Sequence, residues 1–309
     1  MNSAFTTPRA LVVAALIAIS LCLTLISCGG AEDPKRLLQL KLYPKDAFIL
    51  YVSGETDIII GDIIPNFGGP FEVTYRWDVL SVDPEGNIEF NVSVKSASYP
   101  KFMQPLGRAF ENATFKLHMA ADGEILGFEG TDEMRTQVAA NLKFPLIEQR
   151  KKADPSSADY IKTIESAKQS VLAHIQDEAL RGLFEPLFRV WPAIPVAPGD
   201  EWTLEQISTY LHVPNGGSFV TTEFEVTSWK DGEVTLSTQG VLQTPDADEA
   251  NSMSGTTHGT IILDAIGGFL KSASLKRAVK GRVTLPFNEQ SGGSPITYKE
   301  EIFVEVLKL

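Results

Sequence analysis

Four histidines are the side chains of this sequence that could act as general bases or bind a transition metal: His118, His174, His212 and His258. None of them belongs to a His-x-x-x-His pair, and no cysteine pair stands near them to complete a zinc site. The carboxylate pairs Asp122 with Glu124 and Asp200 with Glu201 fall at predicted turns, where acidic residues are common. We therefore expect no bound metal, no cofactor and no acid–base catalysis.

Two further kinds of site lack a complete motif in this sequence. No Gly-x-Ser-x-Gly segment is present, so the sequence does not indicate a serine hydrolase. The segment Asp246–Asn251 has the spaced acidic residues of a calcium loop. Asn251 stands where that loop requires glycine, and no glutamate follows at its twelfth position. We expect a solvated loop there.

The first apolar run of the chain predicts export. Residues 1–9 contain one positive charge, Arg9, and no negative charge, and Ala10–Ile26 contains no charged residue. That run is shorter than the roughly 20 apolar residues that a membrane-spanning helix needs. A basic start, an apolar middle and a small residue before the break are typical of a secretory signal peptide. We predict a signal peptide over residues 1–27, and the alternative is an uncleaved helical anchor.

The residues Leu25-Ile26-Ser27-Cys28 resemble the lipobox of bacterial lipoproteins. The resemblance implies cleavage before Cys28 and a diacylglyceryl group on its thiol, often with a third acyl chain, whereas a single chain binds membranes only marginally. Gly29 follows where an aspartate would stand in retained lipoproteins, which implies the outer membrane facing the periplasm in a Gram-negative host. Cys22 lies within the signal, so the mature chain would have no disulfide.

Composition excludes one class of partner. The formal net charge is −12 at pH 7, and the one dense basic cluster, residues 150–152, falls in a predicted linker between helices. Nucleic-acid binding needs a clustered basic face, so we expect none. The mature chain is long enough for a large core, and we predict a lipidated tether over residues 28–35 and a single domain over residues 36–309.

Two periodicities define the domain. Apolar residues alternate at period two over residues 36–130 and again over residues 192–309, which predicts half-buried antiparallel strands, the first of them at Leu38, Leu40 and Leu42. Residues 131–191 show helical spacing in two stripes, Met134, Val138 and Leu142 and then Ile161, Ile164, Val171 and Ile175. Ser156–Asp159 resembles a capping box for the second helix, and Gly182 is expected to end or bend it.

The two strand regions repeat each other. Pro214–Phe219 echoes Pro65–Phe71, and the correspondence continues in order to Gly123 and Gly268. We predict an α+β fold in which internally duplicated antiparallel β-meanders form a large curved sheet or half-barrel, or two packed sheets, and in which a central two-helix insertion covers the strands.

Two resemblances extend this prediction. The segment Pro192–Trp202, with its P-x-x-P-V-x-x-G-D-x-W spacing, is similar to a turn in uncharacterised families of bacterial envelope lipoproteins. The predicted outline resembles the half-barrel of periplasmic lipoprotein carriers, in which a curved sheet and helices enclose an apolar cavity. These resemblances imply membership of the envelope lipoproteins and do not indicate any particular activity.

One segment differs between the repeats in a way that bears on function. The first repeat contains an apolar, aromatic stretch where the second is acidic and small: Tyr99, Phe102, Met103, Leu106 and Phe110. These residues would form a lid over an apolar cavity, a docking patch for a partner, or ordinary core. We predict a lipid-anchored, non-catalytic envelope protein that binds an apolar ligand or a partner protein. The alternatives are a structural lipoprotein that scaffolds an envelope complex and, third, a hydrolase-like enzyme.

Overall fold

The computed structural model describes residues 34–61, 68–100, 103–143, 168–169, 172–208, 218–244, 252–283 and 294–309. The chain separates into residues 1–35 and residues 36–309, and all the elements below belong to the second unit.

In the described residues, eleven antiparallel strands form one curved sheet, as predicted. The strands are β1 Ala47–Ile60, β2 Gly69–Val82, β3 Ile88–Ser98, β4 Thr114–Met119, β5 Ile125–Glu129, β6 Glu201–Ser208, β7 Ser218–Lys230, β8 Glu233–Gln243, β9 Met253–Asp264, β10 Phe269–Val283 and β11 Ser294–Lys308. Their order is β5-β4-β3-β2-β1-β11-β10-β9-β8-β7-β6. The alternative of two packed sheets is therefore wrong.

The sheet consists of two meanders joined at its centre. Strands β1–β5 run outward to one edge, and strands β11–β6 run outward to the other. The two meanders meet where β1 pairs with β11, from Phe48 opposite Lys308 to Ile60 opposite Ile296. The sheet is thus continuous across the two halves of the sequence.

Three α-helices occur in the described residues: α1 Gln104–Phe110, α2 Thr131–Asn141 and α3 Asp177–Phe188, with a 3-10 turn at Ala173–Ile175. None of these helices is long and apolar enough to cross a membrane. The first helical stripe is confirmed by α2, which buries Met134 and Val138.

The second predicted helix falls largely outside the described residues. Ile161, Ile164, Val171 and the capping segment Ser156–Asp159 lie outside the described residues. Ile175 belongs to the 3-10 turn. Between β5 and β6 the described residues include α2, helical residues at 168–169 and 172, this turn and α3. The second helix of the insertion stays a prediction.

The expectation that Gly182 ends a helix is wrong, because it lies within α3. Leu180 and Phe184 on either side of it are both buried in the core. Their packing outweighs the intrinsic cost of a glycine within a helix, about 1 kcal/mol relative to alanine.

The predicted first strand over residues 38–42 is also wrong. This segment forms no ladder, and the described contacts near it are an isolated bridge between Arg36 and Val196 and a hydrogen bond of 2.8 Å from the Lys41 N–H to the Gly268 carbonyl. Leu38 and Leu42 are nevertheless buried. An extended segment packed against the core also alternates its side chains, so the pattern gave the correct burial without a strand.

The inner face of the sheet, defined as the face covered by α3, carries the core. Trp77 on β2 is fully buried. Its ring centroid lies 5.0 Å from that of Phe184 and 4.9 Å from that of Phe188, both on α3, and 5.1 Å from that of Phe90 on β3. The contacts of Trp77 with Phe184 and Phe90 are edge-to-face, and such contacts add to the free energy gained by area burial. Helix α3 is therefore held firmly on the first meander.

Glycines on β9 allow the sheet to curve. A Cβ at Gly259 would lie 2.2 Å from the carbonyl oxygen of Ser274, and one at Gly255 would lie 2.3 Å from that of Ala278. Neighbouring strands therefore approach more closely here than a side chain permits, as is typical where a sheet bends.

Candidate binding site on the inner face

A row of polar residues crosses the inner face of the sheet. Strand pairing places Thr222 opposite Gly240, Gly240 opposite Thr257, Thr257 opposite Arg277, Arg277 opposite Glu300, and Glu300 opposite Thr56. Residues directly opposite each other in a sheet share a face. We call Thr222, Thr257, Arg277, Glu300 and Thr56 the polar row.

The centre of the polar row is an ion pair. Nη1 of Arg277 lies 2.9 Å from Oε2 of Glu300, and the two side chains are only 6% and 10% exposed. Removing both charges from water costs several kcal/mol per ion before their attraction is counted. The pair therefore stands at a position where an apolar pair would serve the fold at least as well.

One end of the polar row is connected to α3 through Gln206. The Thr222 hydroxyl donates to Oε1 of Gln206 over 3.0 Å, and Nε2 of Gln206 donates to the Arg189 carbonyl over 2.8 Å. Gln206 and Thr222 are both buried. This chain of hydrogen bonds fixes the end of α3 relative to β6 and β7.

Helix α3 is also joined to the opposite edge of the sheet. The buried Glu185 carboxylate lies 3.0 Å from Arg189 and 3.8 Å from Arg181. Arg189 in turn lies 3.4 Å from Glu124, and Arg181 donates to the Ile125 carbonyl. Since β5 and β6 are the two edge strands, α3 bridges the inner face from one edge to the other.

A small cavity adjoins the polar row beneath α3. It is lined by Pro186 of α3, by polar side chains that include Thr238, Thr257 and Arg277, and by apolar side chains that include Val220. Its volume is about 20 Å³, enough for about one water molecule. The cavity as described thus accommodates one oxygen-bearing group.

The polar row separates two apolar clusters. On one side is the main core, which includes Phe224 and Leu275. On the other side is a second cluster, which we call the distal cluster: Ile58, Val220, Leu242, Met253, Val279, Ile296 and Tyr298. Val220 contributes both to the distal cluster and to the cavity wall. The inner face therefore carries a line of polar side chains between two apolar clusters.

The residues predicted for a ligand or partner loop lie mainly in the core. Met103, Leu106 and Phe110 are buried, and Tyr99 is partly buried. Phe110 packs against Tyr75 with 6.5 Å between ring centroids, and burial raises the pKa of the Tyr75 phenol well above its usual value, with Tyr99 as a second cause. Their role in binding stays a prediction. Phe102 and the predicted lipidation site Cys28 lie outside the described residues.

A second polar cluster lies across β3, β4 and β5. Ligand atoms of Glu89, His118 and Glu129 lie within 4.8 Å of one another, as in a metal site. The Lys116 ammonium, however, lies 2.7 Å from Glu89 and 3.7 Å from Glu129. Its hydrogen bond lowers the pKa of Glu89. Since a cation already neutralises these carboxylates, we interpret the cluster as a network of surface ion pairs.

Sequence reasoning missed both polar groupings for the same reason. Strand register brings together residues that are far apart in the sequence, such as Thr222 and Glu300. The one available signal was an arginine, Arg277, at a position where period-two alternation requires an apolar residue.

Comparison with known proteins defines the family. The DUF6263 family, a family of unknown function, matches residues 71–270, and the chain belongs to it. No curated protein matches. Of the polar row, Thr222 and Thr257 lie within the matched residues.

Two solved structures show weak similarity to the chain. One, titled "Lipid-protein interactions in lipovitellin", has 11% sequence identity and a TM-score of 0.45, with 86% of this chain and 26% of that chain covered. The other, OccK11 (OpdR) of Pseudomonas aeruginosa, has 7% identity and a TM-score of 0.19, with 88% of this chain and 100% of that chain covered. The chain thus spans about a quarter of the lipovitellin chain.

Proposed function

We propose that this protein is a lipid-anchored, non-catalytic lipoprotein of the bacterial cell envelope whose curved sheet binds a ligand with an apolar part. The observation that carries the proposal is the polar row between two apolar clusters on the inner face. Buried polar groups cost stability unless they are fully satisfied. Positions where a sequence departs from the rules of stability are typical of functional sites.

The anchor rests on the lipobox Leu25–Cys28 and has its own test. The intact mass of the protein extracted from bacterial membranes should lack residues 1–27 and carry added acyl mass at Cys28. Cys28→Ser is the matched control and should carry no acyl mass. A membrane-extracted protein that retains Met1 would contradict the lipoprotein proposal.

The ligand has a separate test. A Cys28→Ser form without residues 1–27 is purified from cells and examined by native mass spectrometry. A discrete added mass, released on denaturation and identified as lipid, is the expected result. A ligand-free mass in every preparation would contradict ligand binding and leave the anchor unaffected.

The second candidate function is a structural lipoprotein that scaffolds an envelope complex or binds a partner protein. The small cavity favours it, because small-molecule sites usually enclose about 300–1,000 Å³. Detergent-solubilised protein that migrates in a stoichiometric complex, and stays ligand-free, would support this candidate. A ligand-loaded monomer would exclude it.

We further propose that the two meanders arose by duplication. Gly86 between β2 and β3 and Gly232 between β7 and β8 both have positive φ, 87° and 83°, and so do Gly123 and Gly268 in the next corresponding turns. Left-handed turn positions favour glycine, which supports the correspondence. Other members of the family should align half against half with the same offset, and members without that internal alignment would contradict a duplication.

A further inference from the structure

We infer that the polar row and its cavity recognise an uncharged oxygen of an amphiphilic ligand, such as an amide carbonyl, an ester carbonyl or a hydroxyl. This inference rests on the proposed ligand-binding function and names the chemical class of the ligand. Three side chains would contact that oxygen: Thr238, Thr257 and Arg277.

Charge excludes an anionic head group. The Arg277 guanidinium already faces the Glu300 carboxylate at 2.9 Å, and both are almost completely removed from solvent. The pair is neutral as a whole. A carboxylate or phosphate brought into the cavity would lose its hydration and would meet a guanidinium that Glu300 already neutralises. An uncharged acceptor loses much less hydration on entering the cavity.

Hydrogen-bonding capacity favours an oxygen. Thr238 and Thr257 are buried and line the cavity, and their hydroxyls make no hydrogen bond to other residues that the structure describes. Each hydroxyl both donates and accepts. A single oxygen fills a space suited to about one water molecule. It would give these hydroxyls a hydrogen-bond partner in place of a water molecule.

The position of Val220 indicates where the apolar part of the ligand would lie. This residue lines the cavity and also belongs to the distal cluster. A chain attached to an oxygen in the cavity would therefore run toward Leu242 and Val279. The distal cluster must repack to admit the chain, and Met253 is the member best suited to this because its unbranched side chain adapts to irregular spaces.

The test uses two probes with the same acyl chain, oleamide and oleate, below their aggregation concentrations at pH 8. Binding to the Cys28→Ser form is measured by isothermal titration calorimetry. We expect oleamide to bind about tenfold more tightly than oleate, because the carboxylate loses more hydration and the cation beside the cavity is already paired with Glu300.

Charge and hydroxyl variants refine the test. Glu300→Gln removes the negative charge opposite Arg277 and should reverse the preference, so that oleate binds more tightly than oleamide. Thr238→Val with Thr257→Val should weaken oleamide binding about fivefold per hydrogen bond lost. Lys276→Gln, on the opposite face of β10, is the matched control and should leave both affinities unchanged.

The outcomes separate the two proposals. Tighter binding of oleate by the unmodified protein, or an unchanged preference in Glu300→Gln, would overturn the inference but not ligand binding. If Glu300→Gln does not fold, undiminished oleamide binding by the double threonine variant would overturn it instead. Failure of both probes to bind would overturn the inference, while the lipid co-purification test decides the proposed function by itself.

Discussion

Arg277 on β10 and Glu300 on β11 lie directly opposite each other and form an ion pair of 2.9 Å on the buried inner face. Their neighbours Lys276 and Glu301 also lie opposite each other and form a pair of 2.7 Å. That second pair is on the solvent face, where the side chains are 52% and 39% exposed. The same two strands thus provide a buried pair and an exposed control for it.

Removing one member of the buried pair should strongly destabilise this region. Arg277→Met is expected to lower the free energy of unfolding by about 3–5 kcal/mol, because it leaves an uncompensated buried carboxylate. The double variant Arg277→Met with Glu300→Leu should recover most of that loss, and Lys276→Met should cost at most about 1 kcal/mol. Urea denaturation measures all three, and a double variant as unstable as the single one would contradict this account.

The close approach of β9 and β10 can be tested with two glycines. Gly259→Ala should destabilise the protein by about 1–3 kcal/mol, since the new methyl group would overlap the Ser274 carbonyl. Gly127 on β5 is the control, because a Cβ at this position would meet no other atom within 4 Å. Gly127→Ala should leave the unfolding midpoint unchanged or slightly higher. Equal effects at both positions would mean that the strands do not approach as described.

Phe184 should be the main contact between α3 and the sheet. Its ring packs against both Tyr75 and Trp77, at 5.2 and 5.0 Å. Phe184→Ala is expected to lower the free energy of unfolding by about 3–5 kcal/mol. Ile266→Ala, at a side chain that is 78% exposed, should change it by no more than about 0.5 kcal/mol. A small effect of Phe184→Ala in thermal or urea denaturation would show that α3 does not cover the core.

Acid should remove the contribution of the Glu89–Lys116 pair. The hydrogen bond from Lys116 lowers the pKa of Glu89 in the folded protein, so the pair stabilises the fold above the unfolded-state pKa and ceases to do so as the pH falls through the folded-state pKa. Lys116→Met should therefore lower the melting temperature at pH 7 and have less effect at pH 3. Lys95→Met, an exposed change elsewhere in β3, is the control. A pH-independent effect of Lys116→Met would contradict the pairing.

Local patterns predicted much of the sheet and little of its connectivity. The alternation of Val73, Tyr75, Trp77 and Val79 gave a strand with the correct buried face, since period two is a property of a single strand. The central pairing of β1 with β11 had no local signal, because it joins the two ends of the domain. The helix α3 was missed because Gly182 and Pro186 oppose helix formation locally, while Phe184 and Phe188 stabilise it through contacts with Trp77.

The candidate site was even less accessible to sequence reasoning. The predicted loop residues Met103, Leu106 and Phe110 were chosen for apolar character, and that character also places them in the core. Arg277 and Thr257 are 20 residues apart in number but adjacent in the sheet. Their proximity depends on the register of β9 against β10. This register cannot be read from the sequence until the residues of both strands that face the core have been identified.

Photo-cross-linking of the lipid-anchored protein in cells tests the central claim, binding at the inner face, most directly. The probe is an oleamide analogue with a diazirine in its acyl chain. Two adjacent residues of β8 report its position: Leu242 is buried in the distal cluster, and Val241 is exposed on the opposite face. We predict labelling of Leu242 and its neighbours in the distal cluster, with competition by unlabelled oleamide. Labelling confined to Val241 and other exposed side chains, or no competed labelling, would contradict it.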